Sequence, residues 1–167
     1  IQNYCDLTLT GMTVSGGDET VYTMSNNCGN VVIENTTINA GKAKGYTSPA
    51  VAFDVCRYSS YPSVTVTVKG NSVINGDVEV SGTIGEGQSR QLYVEGGKFT
   101  GEFKVSGNVP ANIAISGGTF SSAVKEEYCA TGYIPTANAD GTYGVKAGAY
   151  VAQIEKGAKY ETLQEAI

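Results

Sequence analysis

The chain has 167 residues, a length that predicts one domain with enough interior to bury a sizeable core. Its 22 glycines are about twice the usual share, 16% of its residues are charged and 41% are hydrophobic, a balance that excludes a disordered chain. The formal net charge of -5 argues against nucleic acid as a partner, and no apolar run is long enough for a membrane helix. The sequence has no histidine, a common general base and zinc ligand, and we expect no metal and no cofactor.

The first 120 residues contain an internal repeat. Five segments have apolar residues at their first and third positions, a polar residue at the fourth and Gly or Asn at the fifth. Alternation with a period of two is typical of a strand with one buried face, and a final Gly or Asn favours a sharp turn. The segments are 7–11, 31–35, 66–70, 92–96 and 113–117. We expect their third residues to stack as one interior ladder of Leu9, Ile33, Val68, Val94 and Ile115.

A second apolar position follows each turn by three residues, at Val14, Ile38, Val73, Phe99 and Phe120. The polar residue just before it is expected to point outward. Further short strands are predicted at 21–24, 51–55, 78–80 and 103–105. This pattern predicts an all-β fold, a single-stranded right-handed parallel β-helix (a solenoid) of about five coils. The alternative is an antiparallel sandwich of short strands.

The pattern changes after residue 122. Residues 121–128 have a helix-compatible composition, and Asp140-Gly141 between Ile134 and Val145 predicts a hairpin. Together they would form a small helix and hairpin cap over the open sheet edges of the last coil. We therefore expect a β-helix over 1–122, a cap over 123–148, and a linker with the truncated start of a next module over 149–167.

The two ends of the chain suggest a longer natural protein. The sequence begins at Ile1 rather than Met, which indicates an excised or processed piece. Thr162 to Glu165 fits a capping box at the start of a helix, with two residues left before the end. We expect the natural protein to continue beyond Ile167, so that neighbouring modules of the same polypeptide are partners.

Two insertions, at 39–48 and 57–63, interrupt the regular coil length. Insertions in solenoids emerge as loops and often form the binding side. We expect the two loops to converge into a ligand-binding site whose cations suit sialylated or sulfated glycans or an acidic protein surface. Its residues are Tyr46, Arg57, Tyr58 and Tyr61. The alternative is that these tyrosines pack their own loops against the solenoid.

The four cysteines show no Cys-x-x-Cys spacing, so a zinc site is not expected. Cys5 and Cys28 precede the turns of the first two repeats by six and seven residues, which places them almost above one another. A Cys5–Cys28 disulfide is therefore possible. The alternative is a pair of buried thiols acting as small apolar residues.

The acidic residues are scattered along the chain. Among equivalent repeat positions on neighbouring coils, the one acidic pair that recurs is Glu79 and Glu102. A glycan-cleaving enzyme needs clustered carboxylates for acid and base catalysis. We therefore expect no catalytic residues and a protein that is not an enzyme.

Residues 115–121 are Ile-Ser-Gly-Gly-Thr-Phe-Ser, followed by Glu127-Tyr128-Cys129, Gly132-Tyr133 and 140–143, Asp-Gly-Thr-Tyr. This run resembles the Ser-Gly-Gly-Thr-Phe repeats and closing segment of large adhesin-like surface proteins of gut Firmicutes. Residues 151–167 look like the opening of the next β-helix in such proteins. The resemblance is specific over roughly 90–167 and rests on repeat pattern alone before that. It implies a pectin-lyase-like right-handed β-helix, secretion and anchoring to a Gram-positive envelope, and it brings no catalytic motif.

Together these observations predict a non-catalytic extracellular module, structural or adhesive, at the bacterial cell surface or secreted. Its expected partner is a host or environmental glycan or a host protein, with no nucleic acid and no membrane insertion of this segment. One alternative is a self-assembling envelope or filament subunit, which end-to-end packing of solenoids would favour. The other is a polysaccharide-active β-helix lyase or hydrolase, which a groove lined by several carboxylates would favour.

Overall fold

A computed structural model of the protein describes residues 1–108 and 112–167. Its regular structure is mostly β-strand, arranged as three sheets that form a β-helix of five coils. Each coil contributes one strand to sheet A, then one to sheet B, then one to sheet C. Neighbouring coils pair in parallel, which confirms the predicted β-helix and excludes the antiparallel sandwich.

Every sheet of the β-helix has one strand from each of the five coils. Sheet A contains β1 (Gln2–Asn3), β4 (Tyr22–Asn26), β7 (Val51–Cys56), β10 (Asp77–Ser81) and β13 (Phe103–Val105). Sheet B contains β2 (Leu7–Thr10), β5 (Gly29–Glu34), β8 (Ser63–Lys69), β11 (Ser89–Val94) and β14 (Asn112–Ile115). Sheet C contains β3 (Thr13–Ser15), β6 (Thr37–Asn39), β9 (Val73–Asn75), β12 (Lys98–Phe99) and β15 (Thr119–Phe120).

The predicted interior ladder is confirmed in sheet B. The register pairs each of its members with the next one along the solenoid, and all are buried. Alternation with period two explains this result, because one residue in two faces the core and the remainder face outward. The ladder is Leu9, Ile33, Val68, Val94 and Ile115.

The second ladder, in sheet C, differs from the prediction at one coil. Ile38 pairs with Ile74 and not with Val73, and Phe99 pairs with Ile74 as well. The turn between sheets B and C is one residue longer in the third coil than in the second. The residue that faces the core in sheet C is therefore Ile74, one position later in the sequence than expected. Ser72, expected outside, is therefore buried, and its hydroxyl bonds the Lys69 carbonyl at 2.8 Å.

The cap contains the predicted hairpin but no α-helix. The hairpin joins β16 (Tyr133–Ala137) to β17 (Tyr143–Ala147), which also pairs antiparallel with β15 and so covers the last edge of sheet C. The helix predicted over 121–128 is wrong, since that segment holds one 3₁₀ turn at Glu126–Tyr128. A short helix has little stability of its own, and here Val124 and Tyr128 are instead buried against the final coil.

The remaining segment folds into a small two-stranded sheet of β18 (Ala152–Gln153) and β19 (Lys159–Tyr160), followed by a 3₁₀ turn at Gln164–Ala166. The predicted capping box is confirmed. The Glu165 amide donates to the Thr162 hydroxyl at 3.3 Å, and the Thr162 amide donates to the Glu165 carboxylate at 3.2 Å.

Candidate functional site

The outer face of sheet A carries a row of polar side chains that runs across the strands. Its members occupy matching positions on all five coils, and on the three middle coils the residues on either side are buried in the core. We call this set the polar row, and it consists of Gln2, Ser25, Asp54, Glu79 and Lys104. Strands in a sheet are about 4.8 Å apart, so the row extends for roughly 19 Å along the solenoid axis.

Asp54 is the central residue of the polar row, yet it is 4% exposed. One of its carboxylate oxygens accepts the Asn26 amide at 2.7 Å, and the other accepts the Ser25 hydroxyl at 3.0 Å. Burial raises the pKa of Asp54 to about 7, and the nearby Glu79 adds to this effect, although the two hydrogen bonds oppose it. The carboxyl group is therefore enclosed and engaged within the protein.

Tyr22 covers the outer face of β7. Its hydroxyl donates to the Glu79 carboxylate at 3.0 Å. Because β7 lies between β4 and β10 in sheet A, the Tyr22 side chain must cross the strand that carries Asp54. Burial and the Glu79 charge raise the pKa of Tyr22 to about 12, so its hydroxyl keeps the proton that it donates.

Three tyrosines gather where sheet A passes into sheet B. The Tyr4 ring lies 5.3 Å from the Tyr61 ring and 6.2 Å from the Tyr58 ring, between centroids. The three side chains are 36%, 37% and 51% exposed in that order. We call them the tyrosine cluster. The Gln2 side-chain amide donates to the Tyr4 hydroxyl at 2.8 Å, so the cluster borders the first residue of the polar row.

Tyr58 and Tyr61 were predicted as site residues from the sequence, but Tyr4 was not. Tyr4 belongs to the first coil, whereas the insertion at 57–63 belongs to the third. The insertion reaches back past the second coil to make this contact, and nothing in the local sequence indicates how far it reaches.

Arg57 does not lie on the exposed surface where the sequence placed it. It is 8% exposed, and its Nε donates to the Thr83 carbonyl at 2.5 Å. A second guanidinium nitrogen donates to the Ser59 carbonyl within the same loop. Arg57 therefore fixes the inserted loop to the next coil, through one hydrogen bond within the loop and one to Thr83.

Tyr46 is 61% exposed but lies apart from the tyrosine cluster. Its loop runs from β6 to β7, whereas the loop with Tyr58 runs from β7 to β8. The two loops thus leave opposite ends of β7, which at six residues is roughly 17 Å long. The expected convergence of the loops is therefore wrong, because each emerges at a different corner of the coil.

The structure contains no Cys5–Cys28 disulfide, since all four cysteines are free thiols. Asn3 pairs with Asn26 and Leu7 with Val31, so the second coil has one more residue between these points than the first. This extra residue places the Cys5 backbone against Gly29, where an added Cβ would lie 2.5 Å from the Cys5 carbonyl group. Cys5 is also exposed, which differs from the alternative of two buried thiols.

The structure pairs carboxylates that the sequence analysis did not pair. Asp54 and Glu79 are direct neighbours on adjacent strands, whereas Glu102 precedes β13. A signal for this was present in the sequence. The triplets Phe-Asp-Val, Val-Glu-Val and Phe-Lys-Val, at 53–55, 78–80 and 103–105, share one pattern, and aligning them superimposes Asp54, Glu79 and Lys104.

A pocket of about 220 Å³ lies at the junction of the last coil and the cap. Its apolar lining includes Phe103, Phe120 and Tyr128, whose rings also contact one another in the core.

The described residues contain no group of three or more side chains suited to hold a metal ion. Within the same ranges, no helix has the length and apolar character needed to cross a membrane.

The polar row and the tyrosine cluster thus lie side by side on the outer surface of the solenoid, with Asp54 as the enclosed member of the row. Comparison with protein-family models, with curated proteins and with solved structures finds no match for the chain.

Proposed function

We propose that this chain is a non-catalytic extracellular module of a bacterial surface protein, and that its tyrosine cluster binds a glycan. The observation that carries the proposal is the contact of three partly exposed tyrosine rings beside a row of hydrogen-bonding side chains. An aromatic face packs against the apolar C–H face of a sugar ring, and the adjacent polar groups bond its hydroxyls.

A glycan fits this surface better than a folded protein does. A stable protein interface takes roughly 800 Å² from each partner, whereas a whole tyrosine side chain supplies only about 150–250 Å². Three side chains that are between 36% and 51% exposed fall short of that area. The resemblance of residues 115–121 to repeats of secreted surface proteins supports an extracellular location.

The carboxylates of sheet A support binding rather than catalysis. A general acid must reach the bond that it protonates. Asp54 is enclosed, both of its oxygens accept hydrogen bonds from within the protein, and Glu79 accepts the Tyr22 hydroxyl. This arrangement holds two acidic groups in a structural network.

The test is binding of the Tyr58→Ala/Tyr61→Ala double variant to a glycan array and to intact host cells. We expect affinity to fall at least about tenfold, because truncated aromatic anchors commonly cost more than one kcal/mol each. Tyr46→Ala is the matched control, since Tyr46 is exposed in the other inserted loop, and it should bind as the parent does.

Unchanged binding by a folded double variant would contradict the proposal. Binding to host cells that survives enzymatic removal of their surface glycans would also contradict it, and would identify a protein partner.

A further inference from the structure

The face beside the tyrosine cluster has acidic groups where the sequence suggested cations. Asp54 and Glu79 occupy the centre of the polar row. Arg57, the cation nearest to the cluster in sequence, is buried and donates to two carbonyl groups. The lysines of the other insertion are no closer, because that loop leaves the opposite end of β7.

Lys104 is the one cation of the polar row, and it is engaged by acidic neighbours. Its ammonium lies 2.5 Å from the Glu102 carboxylate and 3.8 Å from the Asp77 carboxylate. These contacts raise the pKa of Lys104, the Glu102 hydrogen bond most of all. An anionic ligand on this face would therefore meet a carboxylate-rich surface, and the one lysine at its end is already paired with carboxylates.

The hydrogen-bonding groups of the face suit hydroxyls. Glu79 is partly exposed, and one oxygen of its carboxylate accepts the Tyr22 hydroxyl. A carboxylate has about four lone-pair positions, so Glu79 can accept further O–H donors. The amide of Gln2 and the hydroxyls of the tyrosine cluster can both donate and accept.

The layout of the face is long and narrow. The polar row runs roughly 19 Å along the solenoid axis, with a side chain about every 4.8 Å. Tyr22 lies at the start of the strands, and the tyrosine cluster lies just beyond their ends. A chain of repeating hydroxyl-bearing units, placed along the axis, would meet a polar side chain on every coil except the third, where Asp54 is enclosed.

We infer that the ligand of this face is an uncharged, hydroxyl-rich polysaccharide that lies along the solenoid axis, between Tyr22 and the tyrosine cluster. This inference rests on the proposed glycan-binding function and adds the class of glycan. It replaces the sialylated or sulfated ligand that the cations of the inserted loops suggested, because those cations do not line this surface.

The experiment is affinity electrophoresis of the folded protein in gels that contain a single polysaccharide. The neutral probes are a soluble glucan, a mannan and a xylan, and the anionic probes are polygalacturonate and heparin. We expect retardation by at least one neutral probe, unchanged between 50 and about 500 mM salt, and none by the anionic probes.

Glu79→Gln should weaken binding to the neutral probe about tenfold, through loss of a charged acceptor. Glu95→Gln is the matched control, since Glu95 is exposed just after a strand of sheet B.

The outcomes separate the two proposals. Tighter, salt-sensitive binding to an anionic probe that still requires Tyr58 and Tyr61 would overturn the inference and leave glycan binding in place. Retardation by neutral probes with equal affinity for Glu79→Gln and the parent would also overturn it, by removing the polar row from the site. Absence of binding to both classes of probe would overturn the inference and the proposed function together.

Discussion

Asp54 shows how a single side chain can differ from what its position predicts. It occupies an outward position of β7, between the inward residues Phe53 and Val55, where a carboxylate ordinarily faces water. It is buried instead, on the face across which Tyr22 reaches from β4 to Glu79 on β10. The structure compensates in part by giving its oxygens two hydrogen-bond donors, Ser25 and Asn26.

Asp54 should make the folded state less stable as the pH rises. Its ordinary pKa of 3.8 applies to the unfolded chain, and its pKa in the folded state is about 7. Below pH 4 the group is protonated in both states. Between pH 4 and 7 the unfolded chain loses the proton while the folded protein keeps it, so the free energy of unfolding falls across this window. Above pH 7 the contribution of Asp54 to the free energy of unfolding no longer changes with pH. Three pKa units correspond to about 4 kcal/mol.

Asp54→Asn tests this prediction, because the amide oxygen can still accept the Asn26 amide. The quantity to compare is the free energy of unfolding of the variant minus that of the parent, measured by denaturant unfolding. We expect this difference to be roughly 2–4 kcal/mol larger at pH 8 than at pH 4.5. Glu95→Gln, at an exposed position, should show no comparable change. A stability difference between Asp54→Asn and the parent that is equal at both pH values would contradict the assignment.

At the scale of the element, sheet B depends on the direction of each side chain. Val68 is fully buried at the centre of its ladder, with Ile33 and Val94 as its neighbours. Thr67, one residue earlier, points the other way and is partly exposed. A shift of one position along the strand therefore changes an interior residue into a surface residue.

Val68→Asp should destabilise the protein severely, by more than about 4 kcal/mol, because it buries a charge with no partner. Thr67→Asp places the same side chain on the opposite face and should cost less than about 1 kcal/mol. Thermal unfolding followed by circular dichroism compares the two variants. Similar melting temperatures for both would show that Val68 is not an interior residue.

At the scale of the whole molecule, the two ends of the solenoid differ. The last edge of sheet C is covered, since β17 pairs with β15, whereas β3 at the first coil forms the opposite, open edge of the same sheet. A solenoid is stabilised mainly by contacts between neighbouring coils, so an end with fewer contacts frays more easily. The hairpin thus occupies the edge of sheet C that a further parallel strand would otherwise extend.

Hydrogen exchange should resolve this difference between the ends. The Ser121 amide bonds the Phe99 carbonyl at 3.0 Å, and the Gly16 amide bonds the Asn39 carbonyl at 3.0 Å. These two bonds are matched in length and both join neighbouring coils. We expect Ser121 to exchange at least about tenfold more slowly than Gly16, because only its end is covered by the cap. Faster exchange at Ser121 than at Gly16 would show that the hairpin does not stabilise the end of the solenoid.

The sequence by itself determined the features that depend on neighbours along the chain. Alternation within each repeat identified the sheet B ladder, because side-chain direction in a strand has a period of two. Asp140-Gly141 identified the hairpin, and Thr162 with Glu165 identified the capping box, because each is a local geometry that few residue types satisfy.

Only the tertiary structure decided which residues of different coils meet. One extra residue in a corner separated Cys5 from Cys28, and another turned Ser72 inward. Alternation places Arg90 on the inward face of β11 with Leu92 and Val94, but only the structure shows that a charged side chain stays there, 1% exposed and in register with the interior Val64. The cluster of Tyr4 with Tyr58 likewise depends on how an inserted loop folds across a coil. Register between coils is set by the lengths and paths of the corners, and these are fixed by contacts between residues that are distant in the chain.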